Sequence, residues 1–111
     1  DITVSVIGTN NLKLSLLQTN NIEELGSLDS TSALFLPSTA KIEGSSTRKS
    51  SAMKTFYSWD FTYGNQRVLL TASVSFGKVL LLGCSCERKV WEKYEKSFHK
   101  ISESFKVGND V

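Results

Sequence analysis

The chain has 111 residues, 40% of them hydrophobic and 22% charged, with a formal net charge of +2. That length fits one domain able to bury a core without metals or multiple staples, and the composition excludes wholesale disorder. The charge is too small to imply a nucleic-acid or membrane partner by itself, and no apolar run approaches the ~18–20 residues of a membrane span.

Asp1 runs straight into Ile2-Thr3-Val4-Ser5-Val6 with no initiator Met, signal peptide or transit peptide in view, so a processed, trimmed or engineered product is expected. Ile2, Val4 and Val6 alternate with Thr3 and Ser5, which predicts a strand, and Thr9-Asn10-Asn11 breaks it. Leu12–Leu17 reads equally as strand or short helix, and Asn20-Asn21 break the chain again. Ser27 is the expected N-cap of a short helix that reaches Leu36 and stops before Pro37. Its apolar positions Leu28, Leu34 and Leu36 are sparse. Residues 38–51 are rich in Ser and Thr. They suggest a weak strand over Ala40–Ser46 and a solvated loop or hairpin over Ser45–Ser51, with Arg48 and Lys49 at its tip.

From Met53 the pattern sharpens. Met53, Tyr57, Trp59, Phe61 and Tyr63 fall on one face of a period-2 strand, and Lys54, Ser58, Asp60 and Thr62 on the other, with Phe56 the exception. Gly64-Asn65 turns the chain into a strand in which Val68, Leu70, Ala72, Val74 and Phe76 alternate with Arg67, Thr71, Ser73 and Ser75. Gly77-Lys78 fits a two-residue hairpin turn with Gly at its first central position. Val79–Cys86 is apolar on both faces, as a central or doubly covered strand would be. A helix from about Arg88 to Phe105 follows, with Trp91, Tyr94, Phe98, Ile101 and Phe105 in one stripe at spacings of 3 and 4, and Gly108 just past its stop. Lys89, Lys93, Lys96 and Lys100 lie elsewhere, interleaved with Glu92, Glu95 and Glu103, and Glu92–Lys96 is an i,i+4 pair in the favourable order. The aromatic stripe must lie across a sheet face, and the short helix can cover the other. The expected architecture is therefore α+β, an α–β–α sandwich around a mainly antiparallel sheet.

Few residues offer chemistry. Cys84 and Cys86 share one face of a strand, roughly 6–7 Å apart by strand rise, whereas a disulfide wants Cβ atoms about 3.8 Å apart. They read as two buried thiols, with a redox pair as the functional alternative. Glu95, His99 and Glu103 share a helix face as a weak metal site would need, against the plainer reading of a solvated histidine between carboxylates. Nucleophilic catalysis would require His99, the chain's one histidine, and no glycine-rich phosphate loop is present, so no catalytic residues are assigned. Arg48 and Lys49 are candidate partner contacts or a solubilising loop. Tyr57 and Trp59 read as core rather than a platform for bases, and nothing basic enough for a nucleic-acid groove surrounds them.

Six pieces in order carry a family resemblance. Ile22–Ser27 is similar to the Leu-Gly segment opening the first helix of PsbP-domain proteins. Phe56-Tyr57-Ser58-Trp59-Asp60-Phe61 resembles their aromatic strand, and Gln66–Val74 the next one. Phe76–Leu80 resembles their tight turn and following strand, Cys84–Trp91 their strand-to-helix junction, and Ser104–Val107 their C-terminal closure. The resemblance implies an α–β–α sandwich and a single domain over residues 1–111. The aromatic–Pro–x–x–Trp segment usual in the family's early strands is missing, so its N-terminal strands are expected to be absent, and Cys86 stands where the family often has Ala. The resemblance further implies a non-catalytic protein of the chloroplast thylakoid lumen, peripheral to the membrane, whose partners are photosystem subunits or assembly intermediates. Its role would be that of a photosystem II extrinsic-type subunit, or of an assembly or repair factor for photosystem II, photosystem I or the NADH-dehydrogenase-like complex. Calcium enters as a cofactor by resemblance only. The alternatives are a binding module of the same fold with an unrelated partner, such as the nuclear Ran-binding proteins, or a weak metal-binding protein.

Overall fold

The computed structural model describes residues 3–9, 21–50, 53–75 and 78–105. They form five strands and two α-helices: β1 (Thr3–Thr9), α1 (Leu28–Phe35), β2 (Lys41–Lys49), β3 (Thr55–Tyr63), β4 (Gln66–Ser75), β5 (Lys78–Glu87) and α2 (Trp91–Ser104). Short 3-10 helices, Ile22–Leu25 and Arg88–Val90, precede α1 and α2. All strand pairs are antiparallel and the sheet order is β1-β5-β4-β3-β2. The Leu12–Leu17 segment, Phe76, Gly77, Gly108 and the residues after Phe105 lie outside the described residues.

The period-2 pattern sorts the sheet into two cores. On one face Tyr57, Trp59 and Phe61 of β3, Ala72 and Val74 of β4 and Val79 of β5 pack under Ile22, with Leu28, Phe35 and Leu36 of the α1 region closing over them. On the other, Leu69, Cys84 and Cys86 meet Trp91 and Phe98 of α2. This is the expected sandwich. Phe56, the exception to the aromatic alternation, is fully buried on the α2 side, with its ring 5.7 Å from that of Phe105.

Ser27 caps α1 as its residue type predicts, its Oγ accepting from Ser30 N at 3.2 Å. Two core aromatics then hold the helix entry by their polar ends. The Tyr57 hydroxyl donates to the Gly26 carbonyl at 2.9 Å and Trp59 Nε1 donates to the Leu28 carbonyl at 3.2 Å. Gly26 stands at φ 134°, a backbone conformation that an L side chain rarely adopts, so glycine is required there by conformation.

Three expectations change. The weak strand does not end at Ser46. β2 runs to Lys49, pairing with β3 without interruption from Gly44↔Asp60 down to Lys49↔Thr55 after a register shift between Ile42 and Gly44, so Arg48 and Lys49 stand in a strand and not on a loop tip. Ser and Thr are at home on an edge strand whose partner supplies the apolar surface. Ser75 pairs with Lys78, which places Lys78 in β5 and not in the turn expected at Gly77-Lys78. Met53 and Tyr63, placed on the core face by alternation, are 64% and 48% exposed because they sit at or beyond the ends of β3.

Candidate functional site

The helix α2 is the best-positioned surface element. Its apolar stripe puts Trp91, Phe98 and Ser102 inward, with the Trp91 and Phe98 rings 5.8 Å apart. An arginine fastens each end. At the N-terminal end Arg67 of β4 grips Asp60 of β3 with both Nε and Nη2, at 2.6 and 2.9 Å, and stacks its guanidinium 4.6 Å from the Trp91 ring centre. The hydrogen bond to Asp60 raises the Arg67 pKa despite its burial. At the C-terminal end Arg48 Nη2 donates to the carbonyls of Ser102 and Phe105, both at 3.1 Å, and lies 4.1 Å over the Phe56 ring. Those carbonyls belong to the last turn and exit of the helix, where cations are favoured. Between the clamps, the hydroxyls of Ser58, Thr71 and Ser102 hydrogen-bond to one another, which satisfies two deeply buried polar groups.

The opposite side of α2 is charged. At about 100° per residue, Lys93, Lys96 and Lys100 fall within an arc of about 60° facing away from the core. Lys89 stands just before them and pairs with Glu87 at 3.3 Å. Lys93 Nζ sits 5.5 Å over the Tyr94 ring. Glu92 and Lys96 are not within ion-pair distance, contrary to the spacing expectation. Both are exposed, and such pairs contribute little against the entropy of two long side chains. The lysine ridge has the same 3-and-4 spacing as the aromatic stripe, so the signal that marked the core also marks this surface.

Beside the ridge, His99 and Glu103 overlook a groove floored by Ser46, Ser58 and Leu69, with adjoining recesses of about 160 and 130 Å³. The small side chains of β2 and β3 leave this part of the sheet uncovered by α2. Glu95, His99 and Glu103 are all exposed. No group of three or more His, Cys, Asp or Glu side chains comes together among the described residues, so the proposed metal set is not assembled there. Arg48 is committed to the end of α2, and Lys49 pairs with Glu23 at 3.7 Å. Neither is the free loop cation expected. Arrayed charge on a rigid helix suits electrostatic recognition of a partner surface.

The sequence matches the family model described as PsbP over residues 2–107. The chain belongs to the PsbP family. No curated protein matches it. Among solved structures it is similar to cyanobacterial PsbP (CyanoP) from Synechocystis sp. PCC 6803, with a TM-score of 0.72 at 17% identity over 97% of this chain and 68% of that one. It is also similar to a Pseudomonas aeruginosa protein of unknown function described as a putative regulator, with a TM-score of 0.61 at 8% identity over 97% and 85%. At those identities the likeness is one of fold.

In this PsbP-family chain the junction Cys84–Trp91 is the passage from β5 through one 3-10 turn into α2. No helix among the described residues is long and apolar enough to cross a membrane. Both cysteines are free and buried against the α2 core, at 1% and 0% exposure, which removes the access that a redox pair needs. Burial pushes both thiols above their usual range. Burial, and then the charge of Glu23, likewise raises the Tyr57 phenol. A group whose folded-state pKa is raised contributes stability that is whole below its unfolded value and is lost as pH rises toward the folded one. The urea midpoint is therefore expected to fall as pH climbs from about 8 to about 10.5, and to fall less in the double variant Cys84→Ala/Cys86→Ala. An equal fall in both proteins, or rapid labelling of native thiols at neutral pH, would show that the thiols are not held as described.

Proposed function

We propose that this PsbP-family chain is a non-catalytic protein of the chloroplast thylakoid lumen that binds a photosynthetic complex. It acts either as an extrinsic-type subunit of photosystem II or as an assembly or repair factor for photosystem II, photosystem I or the NADH-dehydrogenase-like complex. The observation that carries this reading is the family match over residues 2–107. The likeness in fold to a cyanobacterial PsbP agrees with it. The lysine ridge of α2 supplies a contact surface suited to the acidic face of a subunit, because arrayed rim charges steer and orient association.

The test is co-fractionation of the native protein with thylakoid complexes, followed by binding of the purified chain to the complex it accompanies. Lys93→Glu/Lys96→Glu/Lys100→Glu is expected to weaken binding about tenfold or more, and wild-type binding to weaken steeply with salt. A cytosolic native protein would overturn the functional reading. Binding indifferent to both the charge reversal and salt would remove the ridge from it.

A further inference from the structure

Among the described residues β2 is an outer strand of the sheet, with β3 on one side and no strand on the other. Its ladder with β3 decides which of its backbone groups are free. Opposed residues in an antiparallel pair alternate between those that exchange hydrogen bonds and those whose N–H and C=O point away from the partner strand. Ser50 N donates to the Lys54 carbonyl at 2.9 Å, one step past Lys49↔Thr55. Counting back from that bond, Arg48, Ser46 and Gly44 face β3, while Lys49, Thr47 and Ser45 turn their N–H and C=O outward. None of the described residues hydrogen-bonds to those outward groups.

Such an edge is usually blunted by charge, proline or a covering element. Gly44 to Thr47 carry neither charge nor proline, and Ser45, Ser46 and Thr47 are exposed. The register shift lies before this stretch. Small side chains let a second backbone come within the ~4.8 Å that separates neighbouring strands.

A recess flanks this edge on each face. Opposed residues share a face, so Ser46 lies with Ser58 on the α2 side and Ile42 with Phe61 on the α1 side. On the α2 side the groove beneath His99 and Glu103 reaches out to Gly44 and Ser46. Glu103 is exposed and has no ion-pair partner among the described residues, and Arg48 beside it is turned to the Ser102 and Phe105 carbonyls. On the α1 side a recess of about 440 Å³ is lined mainly by Ala33, Leu36, Pro37, Ala40 and Ile42. Main-chain hydrogen bonds hold an added strand, and recesses for its alternate side chains select it. A second copy of β2 fits poorly. It would lay Gly44 and Ser46 on the α2 side, too short to enter the groove, and its Arg48 is already in use.

We propose that the free edge of β2, from Gly44 to Lys49, takes up an extended segment of a protein subunit as a further strand, with a Lys or Arg of that segment reaching Glu103 on the α2 side and an apolar residue entering the recess between Leu36 and Ile42. The proposal rests on the functional reading above, the subunit being one of the photosynthetic complex this chain binds. It adds a backbone contact on a different element from the lysine ridge.

The experiment follows amide hydrogen exchange by NMR in the chain alone and bound to the thylakoid complex with which it co-fractionates. In the free chain the amides of Ser45, Thr47 and Lys49 should exchange fast, and those of Ser46 and Arg48 slowly. Bound, the first three should slow at least tenfold. Thr47→Pro removes an outward donor and no bond to β3. It should leave the thermal midpoint within about 2 °C and weaken binding about tenfold or more. Ser46→Arg keeps every backbone group but fills the groove and supplies its own cation to Glu103, and should weaken binding to a similar extent. That variant decides the matter if Thr47→Pro proves unstable. Bound protein whose Ser45, Thr47 and Lys49 amides stay unprotected, or a Ser46→Arg variant that binds as wild type does, overturns the proposal and leaves the functional reading intact. Wild type that binds no thylakoid complex overturns both. Self-association by sedimentation that Ser46→Arg abolishes, with complex binding unchanged, would give the edge to a second copy and overturn the proposal.

Discussion

Trp59→Ala is expected to lower the stability of the fold by about 3–5 kcal/mol, a large part of the ~5–15 kcal/mol that holds a domain of this size together. Trp59 is 1% exposed at the centre of β3. Its ring lies 5.8 Å from Phe35 of α1 and 6.1 Å from Tyr57, and its Nε1 holds the Leu28 carbonyl at the start of α1. Alanine would open a cavity where a sheet and a short helix meet and leave that carbonyl without its indole donor. A helix of eight residues has little stability of its own, so α1 depends on this contact to remain in place. The thermal midpoint should fall on the order of 15 °C. Trp59→Phe, which keeps most of the packing and loses the hydrogen bond, should cost about 1–2 kcal/mol. A loss below about 1 kcal/mol for the alanine variant in urea titration would mean that α1 is held by something else.

The second large effect is at Arg67. Its side chain and that of Asp60 are only 22% and 18% exposed, so removing the guanidinium leaves a carboxylate mostly withdrawn from water and strips a stacking partner from Trp91. Arg67→Ala is expected to cost about 2–3 kcal/mol, below the ~3–5 of a fully buried pair because some solvent reaches this one. Arg67→Lys keeps the charge but neither the two-point grip nor the planar stack, and should recover only part of the loss. The double variant Arg67→Met/Asp60→Leu removes both charges and should recover most of it, since apolar replacements satisfy the same volume without a stranded ion. Equal stability losses for Arg67→Ala and the double variant would mean that packing, and not the stranded charge, decides the outcome.

This pair was within reach of the sequence. A two-residue turn at Gly64-Asn65 pairs Thr62 with Arg67, and Asp60 then lies on the same face one diagonal step away. The groups that fasten the other end of α2 had no such signal. Arg48 meets the carbonyls of Ser102 and Phe105 across 54 and 57 positions, and a run of Ser, Thr, Arg and Lys read alone looks like a solvated loop. The lysine ridge carried a visible period, yet period alone cannot separate a docking face from a solvated one. The alternation that placed Met53 on the core face of the β3 pattern also had no means of knowing that the sheet ends before it.

By itself the sequence determined the alternation of β3 and β4, the strand β5 with apolar residues on both faces, the capped start of α1, the aromatic stripe of α2 and the resemblance that named the family. Each is written in the spacing of neighbouring residues, because side-chain direction repeats every two residues in a strand and every 3.6 in a helix. Only the tertiary structure decided that β1 lies against β5, that β2 extends through Arg48 and Lys49, that both thiols are shut beneath α2, and that one strained methionine faces outward. Those outcomes depend on which surfaces meet across tens of residues. The free energy of such a meeting comes from area buried and polar groups satisfied together, and no local period encodes it.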